Sequence, residues 1–428
     1  MTGGNTHIPD DANSRSARIL GGLVPPAPDR PIAENTIDIG RPGRQLCLYP
    51  ARQGYELQAE LDFLSNRALE PNVFFTGRFL APAMPRLEDR IIRLALIRDN
   101  DERRSRIRFL MPFSIEKPGF SIGAPIIRAW SNPFGPLGVP LLDAEGAAET
   151  IDNLYEAFAS PSAGLPGVLV LPDVRLMGKF AQLARAVAIG RNLPLTVTDT
   201  FTRPMLESLE DGESYLRHAI SPSHFRELRR QWNRLEALGS VSYNVARQPA
   251  DIRLRMEEFL ALEASGWKGR QGTAMVLDRY RSAFAREAIT NLAEADSVRI
   301  HTLDLDGQAI ASMVVFMMAG DAYTWKTAYD ERYAKYSPGK LLMAELTEWH
   351  LDDANIVRSD SCATPDHAVM SRFWEERDEM GTLVIGLAQN RDRDVRQVAA
   401  QLHLYRNTRN MARLLRDKIR ALTPRRSK

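Results

Sequence analysis

Cysteine is almost missing from this sequence: Cys47 and Cys362 are the two in 428 residues. They stand far apart, with no Cys-x-x-Cys and no metal-ligand spacing. No disulfide framework and no metal centre are expected, and a reducing compartment is. Long apolar runs are missing too, so no segment reads as a membrane span. The N-terminus lacks the basic-then-apolar pattern of a secretory signal. The expectation is a cytoplasmic protein. An excess of one charge is also absent. Lys and Arg total 56 against 54 Asp and Glu, a net charge of +2, which gives no reason to expect a nucleic-acid partner.

What is present is ordinary globular material, 44% hydrophobic and 26% charged. A chain this long exceeds one typical core, and two domains are expected. Residues 1–42 carry Gly, Pro, Asp and Asn with little periodicity and read as disordered. A first folded region is expected over 43–205 and a second over 206–390, followed by a tail over 391–428.

The second region holds the most informative run. Val298 to Leu305 is β-rich and ends at Asp306-Gly307, a two-residue hairpin signal. Ala309 to Met318 is nearly all apolar, as in a strand buried on both faces. Gly320-Asp321 turns the chain, and Ala322 to Tyr329 makes a third strand. Asp330 to Ser337 is then a polar loop. Pro338 suits the first turn of a helix, and Leu341, Leu342, Leu346 and Trp349 follow at helical spacing. Asp352 to Asn355 ends that helix, and Ile356 to Ser359 resumes a strand. A helical crossover returns the chain parallel to the strand before it. A sheet splays where antiparallel pairing gives way to parallel. The loop and helix start fall at that splay, where free N–H groups and the helix dipole favour a phosphate.

The first region repeats this order. Ile91–Ile97, Arg106–Phe113 and Pro125–Trp130 read as strands. Asn132 to Gly138 is a Pro/Gly loop in the position of Tyr336 to Gly339. Ala147–Ala159 reads as a helix and Gly167–Leu171 as the return strand. The first loop is rich in proline, which removes N–H donors, and has no basic residue. The second has Lys335 and Lys340. The second is therefore expected to hold the ligand, and the first to form one wall of an acceptor cleft.

These residues carry a resemblance. Gly266-Trp267-Lys268-Gly269, Gly272-Thr273-Ala274, His301 to Gly307, Trp325-Lys326, Ala328-Tyr329-Asp330, Tyr336-Ser337-Pro338-Gly339, Asp360 to Ala363 and Phe373-Trp374 resemble the GNAT acyltransferase superfamily. More narrowly, they resemble the CelD/BcsL-type acetyltransferases, relatives of the FemAB-like tandem-GNAT transferases. The resemblance implies an α+β fold of tandem GNAT-like domains, each a mixed, mostly antiparallel sheet with flanking helices. It implies acetyl-CoA or another acyl-CoA as donor, no metal, and transfer to an amine or hydroxyl. The usual glycine-rich phosphate loop is replaced here by Tyr336-Ser337-Pro338-Gly339-Lys340.

Acyl transfer needs a proton acceptor, donors for the oxyanion, an acid for the leaving thiolate, and close positioning. Thr327, Ala328, Ser337, Pro338, Gly339, Lys340 and Leu341 are expected to hold the cofactor. Asp360 is the candidate base, beside Asp366 and His367, with Tyr329 and Tyr336 as candidate acids. Trp267, Lys268, Lys326 and Asp330 are candidates for substrate contact. Lys326 lies in an apolar strand and needs a partner, such as Asp360, Glu345 or a ligand. Trp267 to Gly272 reads as a mobile, cationic loop. Cys362 reads as a small buried residue, and His301 as structural.

The tail carries twelve Lys and Arg against three Asp, a net charge of +9, so residues 1–390 carry −7. Leu402, Met411, Leu414, Leu415, Ile419 and Leu422 make a stripe at helical spacing. Such a helix suits an anionic membrane surface, at the inner membrane, and equally the acidic body of its own protein. The expected acceptor is a small molecule, or a glycan or lipid of the cell envelope. An aminoacyl-tRNA-dependent transferase and a non-catalytic envelope-assembly protein are the alternatives.

Overall fold

Three strands of the second half form where alternation and hairpin signals place them. Val298–Leu305 (β10), Gln308–Met318 (β11) and Asp321–Tyr329 (β12) are an antiparallel meander. The turns need left-handed backbone at Asp306 and Gly307, then at Ala319 and Gly320. A helix over Pro338–Asp352 follows, and Arg358–Asp360 (β13) returns parallel to β12. In the computed structural model the described residues are 31–100, 105–364, 367 and 369–422, with side chains through Met411.

The first half runs Asn35–Asp38 (β1), Arg44–Pro50 (β2), Arg93–Asn100 (β3), Ser105–Glu116 (β4) and Ile126–Ala129 (β5). Leu141–Leu142 (β6) pairs with β4. After the helix Ala147–Ala159, Val168–Arg175 (β7) lies parallel to β5. Both halves thus contain an antiparallel run that ends in one parallel pair across a helical crossover. The echo read from the sequence is real in element order.

The expected limit of disorder at residue 42 is corrected. Thr36 and Ile37 sit in β1, which pairs with β2 across a turn with positive φ at Gly40 and Gly43. The part of that expectation falling on residues 1–30 lies outside the described residues. The expected separation into 43–205 and 206–390 is also replaced. Leu195–Leu206 (β8) and Glu376–Gly386 (β14) pair with each other, and each also pairs across to the other half. β14 joins β7, and β8 joins β13. With Val241–Ala246 (β9) at the far edge, one sheet runs β1-β2-β3-β4-β5-β7-β14-β8-β13-β12-β11-β10-β9. Each half lends its last strand to the other, so the described residues from Ala33 onward form one body.

A buried ion cluster lies at this junction. Arg175, at the end of β7, is 2% exposed. Its guanidinium reaches Asp360 (3.1 Å), Glu70 (3.4 Å), Asp321 (3.5 Å) and Asp378 (3.3 Å). Arg203 of β8 adds a second contact to Asp360 at 3.3 Å. Arg358 pairs with Asp321 at 2.9 Å. The tail forms the helix Asp392–Leu422. Its Val395, Val398 and Leu402 pack on Ile126, Val168, Val170 and Val384 of the sheet.

The helix Pro338–Asp352 is held by Leu341, Leu342, Leu346 and Met343 in the second core, and by two buried histidines. His350 bonds Ser359 Oγ at 2.7 Å, and His301 bonds Tyr243 Oη at 2.6 Å. The rings meet edge to face at 5.5 Å, and neither Nε2 has a hydrogen-bond partner. Burial holds both imidazoles neutral. His350 is lowered to about 3 and His301 falls well below the usual range, with His350 and Arg299 adding to burial.

Acid should therefore loosen this helix. Below about pH 6.5 the unfolded chain binds protons at these rings while the folded chain does not. Stability is then full above pH 6.5 and falls toward pH 3 by about 1.4 kcal/mol per pH unit per histidine. Burial raises Glu345 to about 7, which acts in the opposite sense between about pH 4.5 and 7. Urea unfolding of His350→Asn should show a shallower loss between pH 6 and 4. An unchanged slope would contradict the assignment.

Candidate active site

The parallel pairing of β12 and β13 lasts three residues, Asp321 to Tyr323 against Arg358 to Asp360. Past that point the strands part. Thr324 Oγ1 donates to Ser361 O at 2.8 Å, and Cys362 turns the chain away in left-handed backbone (φ 49°). On its other side β12 carries a bulge. Val314 pairs with Lys326 and Val315 with Thr324, leaving Trp325 as the extra residue. The wedge between Thr324–Tyr329 and Ser361–Thr364 opens into a cavity of about 520 Å³. The helix start at Ser337–Lys340 and the Gly266–Lys268 segment also line it.

Most expected residues meet here. Thr327, Ala328, Tyr329, Ser337, Pro338, Gly339, Lys340, Trp267, Lys268 and Lys326 all line the cavity. Ser337 adopts φ 53° before Pro338. A Cβ at Gly339 would touch only Tyr329 Cδ1, at 3.6 Å, so the helix start lies open beside that phenol. Trp267–Arg270 is a short helix followed by a turn at Gln271 and Gly272, with its ends bonded to neighbouring elements. Glu331 accepts from the Trp267 N–H (2.7 Å) and from Arg270 (2.6 Å), and Glu263 pairs with Lys268 (2.8 Å). Gly269 is required there, since a Cβ would lie 1.7 Å from Ala264 O.

Four expected residues take other places. Asp360 is 1% exposed and does not line the cavity. Burial alone would raise its carboxyl, but Arg203, Arg175 and the Cys362 N–H (2.7 Å) outweigh burial and lower it. A carboxylate so held is a poor base, and it acts as a clamp. Tyr336 packs in the second core with Arg234 over its ring at 5.5 Å. Leu341 is a core residue. Asp330 caps the turn after it by accepting from Arg332 N–H, and it pairs with the Arg332 side chain at 2.6 Å. Asp366 lies outside the described residues.

Lys326 pairs with neither Asp360 nor Glu345. Its ammonium donates to Pro133 O at 3.2 Å and sits 4.5 Å over the Phe134 ring. Burial, then the charge of Lys268, lowers it to about 8.

Glu263, Met313, Met343, Cys362 and His367 also line the cavity. Glu263 had a readable signal, a carboxylate directly after Phe259 to Leu262. Cys362 lines the wedge with its thiol pushed well up by burial and by Asp360. His367 is lowered by burial, and its Nδ1 accepts from the Met370 N–H at 3.3 Å.

The corresponding loop of the first half is sealed. A Cβ on Gly138 would lie 2.0 Å from Pro172 O. The Gly138 N–H is bonded to Asp173 O, and Arg203 holds Pro136 O at 2.7 Å. Phe134 O accepts from Trp325 Nε1 at 2.7 Å. The first loop thus backs the bulge of the second half.

Comparison with known proteins gives this arrangement a family context. Residues 222–358 match the acetyltransferase (GNAT) domain family. The structure of FemX is similar over 80% of this chain and 98% of its own, at 9% identity and a TM-score of 0.52. A tandem GNAT protein from the clavulanic acid biosynthesis pathway matches over 80% and 99% (14% identity, TM-score 0.39). A conserved protein of unknown function from Bacteroides thetaiotaomicron matches over 78% and 97% (12% identity, TM-score 0.47). No curated protein sequence matches. The fold is α+β and of GNAT type.

The two loops should differ under one substitution. Gly339→Ala should leave thermal stability unchanged or slightly raised, since glycine in a helix costs about 0.5–1 kcal/mol relative to alanine. Gly138→Ala should destabilise by about 1–3 kcal/mol through overpacking. Equal melting temperatures for the two variants would contradict an open second loop and a sealed first.

Proposed function

We propose that this protein, whose residues 222–358 match the acetyltransferase (GNAT) domain family, moves an acyl group directly from an acyl-coenzyme A to an amine or hydroxyl. The observation that carries the reading is the wedge between β12 and β13, with an uncovered helix start at one end and a cationic, aromatic wall at the other. The diphosphate meets Ser337, Gly339 and Lys340, where the helix dipole and an ammonium both favour negative charge. The pantetheine arm runs along the β12 edge past Tyr323, where pairing with β13 has ended and backbone groups need partners.

The thioester carbonyl then lies beside the backbone of Thr327 to Tyr329, whose N–H groups stabilise the oxyanion. The acceptor's N–H or O–H nucleophile bonds to the carbonyl carbon, the C–S bond breaks, and the proton that the nucleophile loses is matched by the one the thiolate gains as it leaves as the free thiol of coenzyme A. Tyr329, the candidate acid, lines the same cavity. Acetyl is the expected acyl group. An envelope glycan, a lipid or a small metabolite is the expected acceptor.

Calorimetric titration with acetyl-CoA tests the donor. The wild type should bind, Lys340→Ala should bind about tenfold more weakly, a loss of about 1.4 kcal/mol, and Tyr329→Phe should bind within twofold of the wild type. Absence of acetyl-CoA binding alongside binding of aminoacyl-tRNA would replace this reading with the tRNA-dependent one.

A further inference from the structure

Two cationic places line the cavity. Lys340 and the helix start form one. The other lies at the bulge of β12, where Lys326 meets the loop of the first half through Pro133 and Phe134. Among the described residues, the side chains near Lys326 leave it without a counter-ion. Glu263 also lines the cavity, but one oxygen is taken by Lys268 at 2.8 Å and the other by the Met275 N–H at 2.7 Å. Glu331 is engaged by Trp267 N–H and Arg270. Among the described residues, no carboxylate forms an ion pair with Lys326.

Its contacts are instead one carbonyl and two aromatic faces, Phe134 at 4.5 Å and Trp325 at 5.7 Å. Lys326 is half-buried, and a carbonyl and two rings replace only part of the hydration its ammonium gives up. The neighbouring Lys268 repels it further. A bound anion would relieve both costs. A cation serving only the fold would be expected to have its own carboxylate, as Lys268 does.

Resting on the reading of this cavity as the acyl-transfer site, we propose that Lys326 receives a carboxylate that one of the two reactants brings to the transfer point. The carboxylate comes either from the acceptor, as in an amino acid or an acidic sugar, or from the acyl chain, as in a dicarboxylic acyl group. The first-half loop then shapes the specificity of the second half's site, because Phe134 and Pro133 O fix the ammonium in place.

The test titrates malonate, and neutral malonamide as control, into the full-length protein without donor. Malonate should bind the wild type and Lys326→Arg, and at least tenfold more weakly Lys326→Met and Lys326→Gln. Malonamide should bind none of them. Equal malonate binding to the wild type and Lys326→Met, or no malonate binding to the wild type, would overturn the proposal whether or not acetyl-CoA binds. Because this arm needs no donor, its failure is separable from failure of the acyl-CoA reading.

A second arm locates the carboxylate. Malonyl-CoA binding tenfold tighter than acetyl-CoA, with the preference lost in Lys326→Met, assigns it to the acyl chain. Equal binding of the two donors, with malonate still bound in the presence of acetyl-CoA, assigns it to the acceptor. If Lys326→Met weakens acetyl-CoA itself tenfold, Lys326 serves the coenzyme phosphates and the proposal falls.

Discussion

The fold depends on how the buried Asp360 carboxylate is divided between its partners. One oxygen receives Arg175 and Arg203 from the first half's share of the sheet. The other receives the Cys362 N–H. The first set of contacts joins the halves where β7, β14, β8 and β13 meet. The second fixes the left-handed turn at Cys362 that parts the chain from β12. Joining the halves and opening the wedge are therefore one arrangement. Burying these charges is expensive, and removing a single partner from such a cluster typically leaves an uncompensated charge at a cost of about 3–5 kcal/mol. Glu70, Asp321, Asp378 and Arg358 complete the cluster around Arg175.

The strand exchange gives the first half a second task. Its own parallel pair, β5 with β7, does not open, because Gly138 lies against Pro172 O and Arg203 ties down Pro136. The same loop presents Phe134 to Trp325 and Lys326. Two halves alike in element order have diverged in how their crossover loops are packed. One remains open toward its helix start, and the other is closed and forms a wall.

Local signals made the second half legible. The meander, the helix beginning at Pro338 and the parallel return of β13 all follow from alternation, turn residues and a change of period within about sixty residues. The cavity-lining residues on β12 and at the helix start were readable for the same reason. Remote partners explain two of the four misassignments, Asp360 and Tyr336, and the contact that Lys326 makes, whereas Asp330 pairs with Arg332 two positions away. Asp360 looks like a strand-end base until Arg175, 185 positions away, is brought beside it. The Lys326 ammonium finds Pro133 193 positions away. Tyr336 sits in a polar-looking loop, yet Arg234 and the second core enclose it. The exchange of β8 and β14 leaves no mark in either strand's own pattern, since each simply alternates or runs apolar as any buried strand does.

The central claim is that the wedge between β12 and β13 seats a coenzyme A thioester with its diphosphate on Ser337–Lys340. A crystal structure of the protein with coenzyme A tests it directly. The account predicts the diphosphate against Gly339 and Lys340 and the pantetheine arm along Thr324 to Tyr329. Coenzyme A bound at Asn132–Gly138 instead, with the second wedge empty, would contradict it.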